Sequence, residues 1–249
     1  MKSIAIIPAR MGSSRFPGKP LAKILGKPMI GHVWERVSQS QSLAATVVAT
    51  CDAEIRDYVT SIGGTAIMTS DRHERASDRC AEALLKAEEM NGTRYDVVVM
   101  VQGDEPMTHP GMIDEALAPL AADASVQVTN LLGSIADTAE FEDRNCIKVV
   151  CDLHGNALYF SREPIPTRCK ASNVPMGKQV CVIPFRRDYL LEYTRMEPTP
   201  LEIVESVDMM RILEHGGRVR MVPTTHATYS VDTPADLARL ERIMRGAAG

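Results

Sequence analysis

Asp96-Val97-Val98-Val99-Met100-Val101-Gln102 is the most continuous apolar run in the chain, and Gly103 and Asp104 close it. Five apolar residues without alternation, three of them consecutive valines, predict a strand buried on both faces, the central strand of a sheet covered by helices. Working outward, Lys2 to Pro8 is a second β-branched apolar run, and Thr46 to Thr50 and Thr65 to Thr69 predict two more strands. Helical spacing fills the gaps between them. Pro28 opens a helix with Met29, Ile30, Val33, Trp34 and Val37 on one face. Asp52 is placed as the N-cap of a helix carrying Ile55, Val59 and Ile62, which Gly63-Gly64 stops, and Ser77 to Met90 is a third helix. Strand and helix in alternation predict an α/β fold with a mostly parallel central sheet and right-handed crossovers.

The alternation then breaks. Ile147 to Cys151 and Ala157 to Phe160 flank Asp152, His154, Gly155 and Asn156, which predicts an antiparallel hairpin. Gln179 to Phe185 is expected as one strand, Pro200 to His215 as one helix, Arg218 to Val222 as a strand and Pro234 to Met244 as a last helix. The expectation is a single domain over 1–249 with an antiparallel insertion at about 133–186.

Composition narrows the function. The chain is 45% apolar and 24% charged, as a soluble globular protein is, and its apolar runs are too short to cross a bilayer. Ile4 to Ile7 before Pro8 and Arg10 is no signal peptide, and six scattered cysteines without a C-x-x-C pair read as reduced thiols, so a cytoplasmic protein is expected. The net charge of −4 argues against nucleic-acid binding. Residues 1–34 nevertheless carry six cations (Lys2, Arg10, Arg15, Lys19, Lys23, Lys27) and no acid, whereas the remainder has a balance of −10. A basic N-terminal segment on an acidic protein predicts a local anion site.

Three segments can carry chemistry. The first is Pro8-Ala9-Arg10-Met11-Gly12-Ser13-Ser14-Arg15-Phe16-Pro17-Gly18-Lys19-Pro20, at the carboxyl end of the first strand, where open α/β sheets bind ligands. Its small residues let backbone N–H groups approach phosphate oxygens, and its cations neutralise them. It is neither a Walker A loop, since Pro20 stands where Ser or Thr is needed, nor G-x-G-x-x-G, which excludes a dinucleotide oxidoreductase. The second is Gln102-Gly103-Asp104-Glu105-Pro106, whose carboxylate can reach the same crevice and hold Mg²⁺ between phosphate oxygens. The third is Ser230-Val231-Asp232-Thr233-Pro234, where Asp232 is either a second metal ligand or a helix cap.

Pro8-Ala9-Arg10, Arg15-Phe16-Pro17-Gly18-Lys19-Pro20-Leu21, Gly26-Lys27-Pro28-Met29-Ile30, Val101-Gln102-Gly103-Asp104-Glu105-Pro106, Tyr159-Phe160-Ser161-Arg162 and Val231-Asp232-Thr233-Pro234 together resemble the 3-deoxy-manno-octulosonate cytidylyltransferase (CMP-Kdo synthetase) family. The resemblance runs in order along nearly the whole chain. It implies a Rossmann-like nucleotidyltransferase fold, a homodimer built through the inserted strands, and Mg²⁺-dependent transfer of CMP from CTP to an acidic sugar in lipopolysaccharide biosynthesis. It further implies a nucleotide site at Pro8, Ala9, Arg10, Gly12, Ser13, Ser14, Arg15, Lys19 and Gln102, with Arg10 and Lys19 on the triphosphate. Asp104 and Asp232 would be the metal ligands, and Gln102 and Arg79 would approach the acceptor; Arg75, Arg162, Gln179 and Glu205 are further candidates for that side. Phosphoryl-group transfer needs positioning and charge neutralisation rather than a covalent nucleophile, which suits a chain with no Ser/His or Cys/His pair.

The departures from the family pattern fall on the acceptor side. Arg75-Ala76-Ser77 replaces Ser-Gly-Thr, and Gln179, Ile183 and Met209 align where His, Tyr and Gln are expected. An unpaired buried hydroxyl costs roughly 1–3 kcal/mol, so apolar Ile183 and Met209 predict poor use of Kdo compared with another anionic acceptor, a different ulosonate or a phosphonate. Compensation by neighbouring side chains would leave Kdo as the substrate. Two other readings are a uridylyl- or guanylyltransferase and a non-catalytic nucleotide-binding regulator; retention of both aspartates argues against the regulator.

Overall fold

The computed structural model describes residues 1–13, 15–135, 137–170, 176–227 and 229–246. In chain order its first half holds β1 (Ser3–Pro8), a short 3₁₀ turn (Lys19–Leu21), β2 (Lys23–Ile24), β3 (Lys27–Pro28), α1 (Met29–Val37), β4 (Ala45–Thr50), α2 (Ala53–Ser61), β5 (Thr65–Met68), α3 (Ala76–Asn91) and β6 (Val97–Val101). The second half holds α4 (Pro110–Ala122), β7 (Thr129–Ser134), α5 (Thr138–Glu142), β8 (Lys148–Cys151), β9 (Ala157–Ser161), β10 (Gly177–Val180) and β11 (Val182–Arg186). It closes with α6 (Arg187–Tyr193), α7 (Pro200–Glu205), α8 (Met209–Glu214), β12 (Arg220–Pro223) and α9 (Pro234–Gly246).

Two five-stranded sheets result. The first has the order β11-β6-β1-β4-β5, parallel throughout except for β11 against β6. The second, β12-β7-β10-β8-β9, is antiparallel except for β12 beside β7. The valine run is thus an inner strand, and its alternating residues divide between two cores. Ile4, Ile6, Val98 and Met100 face Cys80, Ala83 and Leu84 of α3. Ala5, Ile7, Val97, Val99 and Val101 face Ile30 and Val33 of α1, Ile55 of α2 and Ile113 of α4. Burial on both faces is what an unalternating strand requires.

Two expected elements divide in the structure. Gln179 to Phe185 is not one strand: β10 and β11 are separated at Cys181, so the chain leaves the second sheet and enters the first there. A continuous apolar pattern conceals such a crossing because both sheets need the same residue types. Pro200 to His215 is not one helix: it breaks at Ser206, whose φ of +51° ends α7 in the left-handed region. The break allows buried Glu202 to meet Arg211 of α8, Oε2 to Nε at 2.7 Å and Oε1 to Nη2 at 2.8 Å. At the start of α7 the Thr199 N–H also donates to Glu202 Oε2 at 3.3 Å. Asp52 precedes α2 as expected, but its side chain makes no capping bond; it accepts from the Met11 N–H instead. Among the described residues no helix is long and apolar enough to cross a membrane.

Removing one partner of a buried ion pair strands the other charge. Glu202→Ala is therefore expected to destabilise the fold by about 3–5 kcal/mol, read as a lower urea midpoint at unchanged slope.

Candidate active site

The loop after β1 folds back on itself at the carboxyl edge of the first sheet. Gly18, at φ +73°, donates its N–H to the Met11 carbonyl at 3.0 Å, and Ser13 donates to the same carbonyl at 2.9 Å. Asp52, at the end of β4, anchors the loop from below through its 2.7 Å bond from the Met11 N–H. Beside it, Gly103 follows β6 so closely that an added Cβ would stand 3.2 Å from the Pro8 carbonyl oxygen. Glycine there lets the ends of β1 and β6 converge on one cleft.

That cleft has a volume of about 390 Å³. Pro8, Ala9, Arg10, Gly12, Ser13, Arg15, Lys19, Gln102 and Asp104 line it, as do Arg75 and Arg79 near the start of α3. Ser14 lies outside the described residues. Within it the Lys19 Nζ donates to Asp104 Oδ2 at 2.7 Å and, beyond the lining, to Asp232 Oδ1 at 3.3 Å. Arg15 Nη2 adds a 3.0 Å pair to the same Asp232 oxygen, and its Nη1 donates to Asn145 Oδ1. Asp232 reaches the site because Val231 packs with Ile24, Met29 and Leu240 in a third apolar cluster, and because the Val231 N–H donates to the Asp104 carbonyl. Burial works against the Lys19 ammonium, but the Coulombic pull and hydrogen bonds of the two aspartates outweigh it and raise its pKa.

Two converging carboxylates that already share a cation fit a hard divalent ion. Among the described residues no cluster of three His, Cys, Asp or Glu forms a self-sufficient metal cage. Asp104 and Asp232 could therefore hold only an ion whose remaining ligands come from outside this residue set.

The acceptor side departs from expectation in several places. Ile183 and Met209, expected to face the acceptor, are packed in the core at 2% and 0% exposure. Ile183 sits on β11 opposite Met100, a consequence of the sheet crossing at Cys181. Gln179 remains in the second sheet, where its Nε2 donates to Asn130 Oδ1 at 2.6 Å, and it does not line the cleft. Arg75 does line it but is tethered, Nη1 to Asp208 Oδ1 at 3.1 Å and Nε to Glu202 Oε1 at 3.6 Å. Arg79, 3% exposed, donates through Nη1 to Thr69 Oγ1 at 2.5 Å, while its buried Nη2 has no partner among the described residues. Arg162 and Glu205 bind each other: the Arg162 N–H donates to Glu205 Oε2 at 2.8 Å and its Nε to the Glu205 carbonyl at 2.6 Å. Tyr159 and Ser161 donate their hydroxyls to Glu205 Oε1.

His73, Glu74 and Ser206 also line the cleft and were not singled out from the sequence. For His73 and Glu74 the available signal was their place just after a parallel strand, at the edge where ligands bind. Ser206 had none, since its position depends on the helix break.

The chain matches the family model described as Cytidylyltransferase over residues 4–221. It is 44% identical to the 3-deoxy-manno-octulosonate cytidylyltransferase of Geobacter metallireducens, covering 98% of this chain and 99% of that one. Its identity to the same-named protein of Geobacter sulfurreducens is 43%, over 96% and 98%. Among solved structures, a CMP:2-keto-3-deoxy-manno-octonic acid synthetase complexed with CTP superposes at a TM-score of 0.88 with 38% identity, covering 99% of this chain and 100% of that one. A cytidylyltransferase from Leptospira borgpetersenii, 17% identical at a TM-score of 0.63, covering 99% and 87%, shares the fold.

Glu105 supplies a pH test beside the site. It is buried, and burial followed by the charge of Asp104 pushes its carboxyl from 4.5 up to about 7. Between those values the folded chain keeps a proton that the unfolded chain has lost, so the Glu105 contribution to stability is full below pH 4.5 and is lost as pH rises through about 7. Glu105→Gln removes that loss. Its melting temperature relative to the unsubstituted protein is expected to be higher at about pH 8 than at about pH 5.

Proposed function

The chain belongs to the cytidylyltransferase family, and from that premise we propose that it transfers CMP from CTP to 3-deoxy-manno-octulosonate, releasing pyrophosphate. The observation that carries the reading is the bridge from Lys19 to Asp104 and Asp232 in a cleft lined by the loop after β1. The acceptor hydroxyl oxygen attacks the α-phosphorus as the bond from that phosphorus to the β-phosphoryl oxygen breaks. Pyrophosphate departs, and the hydroxyl proton passes to solvent.

Each group has a part in that displacement. Arg10, Lys19 and Arg15, with backbone N–H groups of Ala9 to Ser13, hold the triphosphate and offset its growing charge. Asp104 and Asp232 hold a divalent cation, which we take to be Mg²⁺; when bound it polarises phosphoryl oxygen and acidifies the acceptor hydroxyl. Gln102 stands between nucleotide and acceptor, and Arg79, with its unpartnered buried N–H groups, offers a charged donor to a ligand oxygen. Arg162 and Glu205 shape the acceptor end beside Ser206.

Kdo is favoured over another acid on structural grounds. Ile183 and Met209 belong to the core, so they withdraw no hydrogen bond from the cleft. The added cation Arg75 is held by Asp208 and Glu202 rather than left for a second negative charge.

We further propose a homodimer through the segment around 145–186. β9 is the outer strand of the second sheet, and an unpaired edge needs covering. Leu153 and Leu158 on its hairpin and Ile203 and Val204 of α7 are exposed apolar residues.

Pyrophosphate release with CTP, Kdo and Mg²⁺ is expected to exceed that with UTP or GTP and to stop in excess chelator; undiminished release in chelator overturns the metal role. Asp104→Asn and Asp232→Asn should each lower kcat by about a hundredfold, as when one transition-state charge stabiliser is lost. Sedimentation equilibrium should give twice the chain mass, and a single-chain species would overturn the dimer.

A further inference from the structure

We propose that Lys148 is a positioning residue for the transfer reaction: its buried ammonium clamps the 143–146 loop to the end of β9 and so holds Arg15 and Arg162 in their working places. The role of Lys148 rests on the cytidylyltransferase reading given above.

Lys148 opens β8 and is fully buried. Its Nζ donates to the carbonyl oxygens of Asp143 at 2.8 Å, Cys146 at 2.6 Å and Arg162 at 2.5 Å. An ammonium has three N–H groups, and three backbone carbonyls account for all of them. Burying a charge is costly, and burial here pushes the Lys148 pKa down, so an apolar side chain would serve the core better. What the ammonium holds gives the cost a purpose.

Asp143 and Cys146 flank Asn145, whose side chain accepts from Arg15. Arg15 is otherwise a long side chain, half exposed, whose second hold is Asp232. Fixing both sides of Asn145 therefore sets where the Arg15 guanidinium points. The third carbonyl belongs to Arg162, whose Nη1 donates to the Arg144 carbonyl at 2.9 Å and whose Nη2 donates to the Ser206 carbonyl at 3.3 Å. One buried cation thus ties the loop that steers Arg15 to the strand end that reaches the cleft wall at Ser206. Neither Lys148 nor Asn145 lines the cleft, so both act through other residues.

A double-mutant cycle separates positioning from general structural support. Pyrophosphate release is measured with CTP, Kdo and Mg²⁺ for the unsubstituted protein, Arg15→Ala, Asn145→Ala, Lys148→Met and the two doubles with Arg15→Ala. Asn145→Ala, an exposed change that leaves the core intact, should lower kcat/KM about fivefold alone and less than about twofold in the Arg15→Ala background. Lys148→Met should cost about thirtyfold alone and under about tenfold in that background, the remainder passing through Arg162. Losses that multiply fully in both cycles overturn the inference, because a merely structural role acts equally with or without Arg15. Should Lys148→Met lack a cooperative melting transition, the Asn145 cycle decides alone. An unsubstituted protein that releases no pyrophosphate defeats the proposed function as well, a result distinct from an active enzyme with multiplying losses.

Discussion

Everything at the candidate site depends on one ammonium. Lys19 comes from the loop after β1, Asp104 from the end of β6 and Asp232 from the segment before α9, so a single cation joins three parts of the chain remote in sequence. Two carboxylates brought together with little exposure repel each other unless a cation lies between them. The fold therefore assembles a site that requires positive charge, which the Lys19 ammonium supplies. The same requirement explains why the loop after β1 is rich in cations while the rest of the chain is acidic.

The side of the cleft near α7 and α8 follows different physics. There the charges neutralise one another inside the protein: Glu202 with Arg211, Asp208 with Arg75, and Glu205 with the N–H and hydroxyl groups around Arg162. Asp208 also accepts from Ser77 at 3.2 Å, which fastens the start of α3 to α8. Arg75 lines the cleft and is at the same time a strut between α3 and α8. A substitution that looks like a change of specificity in one dimension is in space paired with its own counter-charge.

Much of the fold was legible because burial leaves a period in the sequence. β1, β4, β5 and β6 and the helices between them follow from unalternating β-branched runs and helical apolar stripes, which are local consequences of packing a sheet between helices. The hairpin of β8 and β9 was equally local. The sheet crossing at Cys181 and the helix break at Ser206 were not. The crossing depends on partners distant in sequence, β6 and β7, and the break on a charge pair, Glu202 with Arg211, that forms only once the helix has turned; neither changes the apolar pattern.

For the site, the sequence by itself determined the inventory: a basic small-residue loop after one strand, a carboxylate after another and an aspartate before a proline-started helix. Such groups announce themselves because their chemistry restricts which residue types can serve. Tertiary structure alone decided which of them meet. It brought Asp232 to Lys19, sent Ile183 and Met209 into the core and gave Gln179 to Asn130. It also buried Lys148 among three carbonyls. Distances between side chains depend on how sheets and helices pack over the whole chain, and that information is held by no single segment.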